Sequence, residues 1–242
     1  MGSIERQGGI AIWRQIADDI RQAIAGGEFS GSEALPGEMA LAERFGVNRH
    51  TVRSAIAALV REGVLRAERG RGTFIEQRER LRFPIRERTR FSEGLAGQTI
   101  FREGRVVGAG RTAADPAIAA ALDLASGHRL QIVEMLYRAD GLPVSLATNY
   151  FPLPRFEGIE KAVRGTASIT RALAACGVDD YRRKWTTLTA SHAGTADREA
   201  LQLSPGAIVM SALAVNVDPA GRPIQYSVTR FAADRMEITI EN

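Results

Sequence analysis

Ile12, Ile16, Ile20 and Ile24 recur every fourth residue, and Trp13, Ala17 and Ala23 widen that stripe. This period predicts an amphipathic helix with one face in a core. Gly26-Gly27 ends it in the manner usual for helix C-termini. After a loop, Leu35-Pro36 leads into a second helix over about Gly37 to Phe45, with Met39 or Leu41, Ala42 and Phe45 turned inward. Gly46 supplies a sharp turn, and Asn48 is a natural N-cap for a third helix. Val52, Ala55, Ile56, Leu59 and Val60 form its apolar stripe, which places Arg49, His50, Arg53 and Ala57 on the opposite face. Gly63 stops it. Val64-Leu65 and Phe74-Ile75 then read as two short strands joined by the tip Arg69-Gly70-Arg71-Gly72. Three helices and a hairpin in this order make a winged helix-turn-helix over residues 1–76.

Residues 77–90 are highly charged and broken by Pro84, which predicts an interdomain linker. The remainder, 91–242, carries a pseudo-repeat. Ala121-Leu122-Asp123-Leu124 with Gly127 returns as Ala200-Leu201-Gln202-Leu203 with Gly206, and Gly141-Leu142-Pro143-Val144 returns as Gly221-Arg222-Pro223-Ile224. Each copy reads as a short helix, a strand, a turn and a returning strand. Between the copies lies a helical insert, clearest at Ser168–Gly177, and the alternation from Trp185 to Ala190 predicts one more strand. The fold class is therefore α+β, with a largely antiparallel sheet built from two related halves. A pocket between such halves is the default place for a ligand.

The net charge of +4 hides an asymmetry: Arg44 to Arg90 holds 13 Arg against 5 Glu, so the rest of the chain is net acidic. A local basic block on a near-neutral chain is the footprint of nucleic-acid contact, although a solvated helix face with a charged linker would also produce it. No run of 18 apolar residues is present to span a membrane, and no secretory signal is visible. One cysteine, Cys176, excludes an intrachain disulfide and fits a reducing cytoplasm. His50, His128 and His192 are scattered without metal-ligand spacing, so neither a metal site nor a cofactor is expected. No Ser-His-Asp set or paired carboxylates stand out for catalysis, and no catalytic residue is assigned.

The first 76 residues resemble the GntR family of bacterial transcription regulators. The residues that carry this resemblance are Leu35-Pro36-Gly37-Glu38, Leu41-Ala42, Phe45-Gly46-Val47-Asn48-Arg49, Thr51-Val52-Arg53, Leu59, Glu62-Gly63 and Gly70-Arg71-Gly72-Thr73-Phe74. Gly37 departs from the pattern, which usually has Ser there. From about Phe83 to Ile240 the chain looks like the UTRA effector domain of the family's HutC branch, which shares the chorismate-lyase-like fold. Arg88-Thr89-Arg90-Phe91-Ser92, Ala139-Asp140-Gly141 and Ala233-Asp234-Arg235 look most like the branch's phosphonate-metabolism regulators.

The resemblance implies double-stranded operator DNA as one partner, a small anionic effector as another, and a homodimer. A helix that enters the major groove reads bases with its N-terminal residues, so Arg49 is the candidate for a bidentate contact to guanine. Asn48 and Thr51 are candidates for phosphate, Arg53 and Arg44 for the DNA backbone, and Gly70, Arg71 and Gly72 for the minor groove. Arg53 also has a plainer alternative, an ion pair with a neighbouring Glu.

For the effector, the resemblance points to the turn Phe91-Ser92 and to Ser168 at the start of the inserted helix. The residues add Arg138 as a cationic clamp, and Tyr226 and Arg230, which share a strand face by period two. Sugar-phosphate regulators of this branch often carry Glu where Ala147 stands, which favours a phosphonate, phosphate ester or phosphate as effector. A sugar phosphate or carboxylate, or lyase chemistry on the same fold, are the alternatives.

Overall fold

The computed structural model describes residues 11–29, 34–76, 80–86, 88, 97–204 and 206–240. The chain divides into two compact units, residues 1–79 with 202–206, and residues 80–201 with 207–242.

In the first unit α1 spans Ile12–Ala25, α2 Glu38–Phe45 and α3 Arg49–Arg61. The isoleucine stripe of α1 is inward as its period requires: Ile16 and Ile20 are buried with Ala17, and Ile12 and Ile24 pack at the margin. On α2 the inward residue is Leu41, whereas Met39 is 72% exposed. Val52, Ala55, Ile56 and Leu59 of α3 close the same core, where each large aliphatic side chain contributes about 1.5–3 kcal/mol by leaving water. Gly46 ends α2 at φ 63°, a left-handed conformation that a Cβ would strain, and so lets α3 begin after only two more residues. β1 (Leu65–Glu68) and β2 (Gly72–Ile75) form the antiparallel wing. Leu35 donates its N–H to the Thr73 carbonyl at 2.8 Å and ties the approach to α2 to that wing.

The second unit is built on a six-stranded antiparallel sheet in the order β4-β5-β6-β9-β8-β7. Its strands are β4 (Arg102–Ala113), β5 (Arg129–Ala139), β6 (Leu142–Pro152), β7 (Arg182–His192), β8 (Ile208–Val217) and β9 (Pro223–Ala232). Helix α4 (Pro116–Ala121) follows β4, and α7 (Thr195–Leu201) follows β7, so the halves β4-α4-β5-β6 and β7-α7-β8-β9 meet at the central pair β6–β9. The pseudo-repeat is visible in the backbone itself: Asp123 and Gln202 have φ 55° and 54°, and Gly141 and Gly221 have φ 82° and 80°.

The insert between the halves forms α5 (Ile159–Thr166) and α6 (Ile169–Ala175). These two helices cover one face of the sheet, packing Ile159, Val163, Ala172 and Leu173 on Val133, Met135 and Ala147. On the other face α4 sets Ile118 and Ala119 against Leu130, Val215 and Tyr226.

Two elements differ from the sequence reading. The segment read as a linker contains a strand, β3 (Leu81–Ile85), paired in parallel with β10 (Met236–Ile240) and belonging to the second unit. Its anchor is Phe83, buried with its ring centroid 5.2 Å from that of Phe231. Pro84 is tolerated because this pair has only two strands, so a missing N–H can face outward. β4 is the second difference, a strand that the sequence pattern does not predict. It is an edge strand, largely exposed, with glycines at 104, 108 and 110 and a bulge between Val106 and Gly108, so it lacks an apolar alternation to read.

Candidate nucleic-acid interface and ligand cavity

The start of α3 is organised as its sequence dictates. Asn48 has extended backbone angles, and its side-chain oxygen accepts the N–H of His50 at 2.9 Å, satisfying one of the helix's orphan donors. Arg49, His50 and Arg53 are exposed, and Thr51 is half-buried beside them. The plainer alternative for Arg53 is realised and extends to Arg49. Arg53 donates to both oxygens of Glu38 at 3.1 and 2.9 Å, and Arg49 donates through Nε at 2.7 Å. Those hydrogen bonds, from Arg53 first and Arg49 second, hold the Glu38 carboxyl down at a pKa of about 2. An exposed ion pair of this kind contributes little to stability, so both guanidinium groups are positioned without being sequestered.

Arg44 makes a forked pair with Glu28 at 2.5 and 3.1 Å, which orients it at the end of α2. At the wing tip Gly70 and Gly72 have φ 80° and 114°. Arg71 between them is three-quarters exposed, with Glu68 2.8 Å away. Gly37 caps α2 with no side-chain hydrogen bond, so the cap that a Ser would give is missing. This arrangement exposes the N-terminus of α3, with Arg49 and Arg53 beside it, and a cationic wing tip flanked by two left-handed glycines.

In the second unit a cavity of about 500 Å³ lies between the sheet and the start of α6. Ser168 lines it and caps α6, its hydroxyl accepting the N–H of Arg171 at 3.3 Å. Ala147 lines it too. Phe91 and Ser92 lie outside the described residues. The other three candidates are elsewhere. Arg138 is turned to the β5–β6 hairpin, donating to the Gly141 carbonyl at 2.8 Å, and the wall residue of β5 is its neighbour Tyr137. Tyr226 and Arg230 do share a strand face, but it is the opposite one. Tyr226 is buried against Tyr150 and Trp185, and Arg230 reaches Asp197 of α7 at 3.2 Å and Thr148 at 3.2 Å. The odd-numbered residues Gln225, Ser227 and Thr229 of β9 face the cavity.

The residues that sequence reasoning missed form a transverse polar row on the cavity floor. Asn149 on β6 donates to the Val133 carbonyl at 3.1 Å, Gln225 donates to Asn149 at 2.7 Å, and Asn216 on β8 donates to Gln225 at 2.7 Å. Arg183 on β7 stands opposite Asn216 in the ladder. Its Nε is buried with no hydrogen-bond partner, and burial lowers its pKa from the usual arginine value. Asn149, Asn216 and Gln225, amides inside strongly strand-forming runs, were the available signal. Arg183 was hidden in the run Arg182-Arg183-Lys184, just ahead of the alternation that marked the strand.

A DNA-reading head and a separate ligand cavity on one chain define a transcription regulator that responds to a small molecule. Comparison with known proteins makes the class specific. Residues 13–75 match the model of the bacterial regulatory proteins of the gntR family, and residues 103–237 match the UTRA domain. The chain belongs to the GntR family, with a UTRA domain as its second part. It is 48% identical over 98% of both chains to an uncharacterized HTH-type transcriptional regulator of Rhizobium meliloti. To a protein of Escherichia coli described as the probable transcriptional regulator PhnF, it is 26% identical over 94% of this chain and 92% of that one. The crystal structure of PhnF from Mycobacterium smegmatis shares its fold, with a TM-score of 0.64 at 22% identity over 94% of this chain and 98% of the other. Both matched families are regulatory and neither is enzymatic. No described helix is long and apolar enough to cross a membrane.

Proposed function

We propose that this protein is a repressor of genes for phosphonate uptake or catabolism, binding a palindromic operator as a homodimer in the cytoplasm. A small phosphorus-containing anion in the cavity releases it. The observation that carries the ligand half is the Arg183 guanidinium, set in a cavity wall with a buried donor left unpaired. Among the described residues the fold gives this guanidinium only one long hydrogen bond, Nη1 to the Thr186 hydroxyl at 3.4 Å, and an oxyanion on its cavity side compensates its charge. Ser168 on the same cavity adds a hydroxyl, and Ala147 leaves no carboxylate at the place where sugar-phosphate regulators often carry one. The likeness to the two PhnF proteins and the stretches around Arg88, Asp140 and Asp234 support phosphonate genes as the target.

One bidentate arginine contact supplies roughly 1–3 kcal/mol of base discrimination, too little for one head reading a few bases, so twofold repetition of the half-site is the economical solution. Effector control then requires that the anion bind the DNA-free arrangement more tightly than the DNA-bound one. Deleting the gene tests the role: transcripts for phosphonate uptake rise without inducer. Transcripts that stay flat in the deletion strain, with or without phosphonate, would remove this reading.

A further inference from the structure

The floor of the cavity fixes the polarity of its own hydrogen bonds. The Val133 carbonyl can only accept, so the group that meets it at 3.1 Å is the NH2 of Asn149. The Asn149 oxygen therefore receives Gln225 at 2.7 Å, and the Gln225 oxygen receives the NH2 of Asn216 at 2.7 Å. The relay is anchored at one end by backbone and leaves the carbonyl oxygen of Asn216 as its terminal acceptor. Directly opposite Asn216 across the β7–β8 ladder stands Arg183, whose Nε is buried and unpaired. No carboxylate among the described residues forms an ion pair with it. The floor thus ends in one charged donor and one neutral acceptor side by side, a pair of groups that complement an anion and a hydroxyl on the same small molecule.

Size and charge narrow the ligand further. A volume of about 500 Å³ lies in the range of organic-ligand sites and far exceeds an inorganic oxyanion. The other charged side chains lining it are Arg102, Arg171 and Glu103, so the cavity is net positive and disfavours an ammonium group.

We propose that the effector is a hydroxylated organic anion, its oxyanion held by Arg183 and its hydroxyl donating to the side-chain carbonyl of Asn216. This rests on reading the cavity as the effector site, and it moves the anion from Arg138 on β5 to Arg183 on β7. Whether the oxyanion is a phosphonate or a carboxylate, the same two groups recognise it.

The test is calorimetric titration of the full chain at fixed pH and salt with two matched pairs. These are 2-hydroxyethylphosphonate against ethylphosphonate, and 3-hydroxypropanoate against propanoate. In at least one pair the hydroxylated member binds tenfold or more tightly than its twin. Arg183→Gln lowers that affinity at least tenfold, and Asn216→Leu makes the twins equal. Because Arg183→Gln removes an unpaired buried charge donor, the empty variant melts no lower than the parent, which separates lost recognition from lost fold. Twins that bind equally, undiminished affinity in Arg183→Gln, or no binding by any of the four would overturn the inference. Binding of the carboxylate pair alone through Arg183 upholds it while removing phosphorus from the proposed function. Phosphonate binding that ignores Arg183 does the reverse.

Discussion

Glu38 accepts a 2.7 Å hydrogen bond from Nε of Arg49 while the same carboxylate receives Arg53, so one acidic residue at the start of α2 sets the aim of two cations on α3. Arg49 stands at the first turn of its helix with its side chain half exposed, where a guanidinium can fork onto a guanine edge. Arg49→Ala is expected to lower specific operator affinity by about 1–3 kcal/mol, roughly 5- to 150-fold, with an unchanged melting temperature. Competition binding against scrambled DNA checks it. Full retention of specificity removes the recognition-helix assignment.

Glu38 also neutralises part of the charge of the two arginines it holds. Glu38→Gln removes a negative charge and frees both arginines, so non-specific DNA affinity rises several-fold while the ratio of specific to non-specific binding falls. Filter binding at two salt concentrations reads both quantities.

The depressed pKa of Glu38 has an acid-side consequence with a definite sign. Its folded value of about 2 lies below the ordinary 4.5, so the pair's contribution is present above about 4.5 and is lost as pH falls through about 2. The melting temperatures of parent and Glu38→Gln should therefore converge between pH 4.5 and 2. A constant difference across that window contradicts the pairing. The carboxylate is partly exposed, so the effect is small.

Ser168→Ala removes a hydroxyl that lines the cavity and caps α6. Loss of the cap costs about 1 kcal/mol. Effector titration should shift to higher concentration while operator affinity without effector stays the same. An unchanged titration would take Ser168 out of the site.

Tyr226 is a core residue of the outer face, packed on Tyr150 and Trp185. Tyr226→Ala is expected to destabilise by about 3–5 kcal/mol, as deletion of a large buried aromatic does, and to leave effector affinity of the folded protein unaltered. Arg138→Gln, by contrast, should leave both stability and effector response nearly untouched.

The first unit was readable because its signals are local. The isoleucine period, the Asn48 cap and the Gly46 turn each act within a few residues, and each is in place. The paired halves were legible for the same reason, since Asp123 and Gln202 repeat one backbone conformation as well as one sequence pattern. What failed depended on long-range pairing. Strand parity says that Tyr226 and Arg230 share a face, but only the sheet order and the placement of α5 and α6 decide which face meets the cavity. Arg183 and Asn216 are neighbours through a ladder that joins β7 to β8, and no local pattern announces it. β3 was hidden because its partner, β10, lies at the far end of the chain.

Coupling of a phosphorus anion in the cavity to operator affinity is read by fluorescence anisotropy on labelled DNA from upstream of the protein's own gene. The titration is run at fixed salt, alone and with inorganic phosphate, methylphosphonate, 2-aminoethylphosphonate and 2-hydroxyethylphosphonate, because salt by itself moves such affinities strongly. Tight, sequence-specific binding is expected, weakened at least fivefold by an organic phosphorus anion, and Arg183→Gln is expected to make it insensitive to that anion. Specific binding that none of these anions alters, in parent and variant alike, would contradict that coupling.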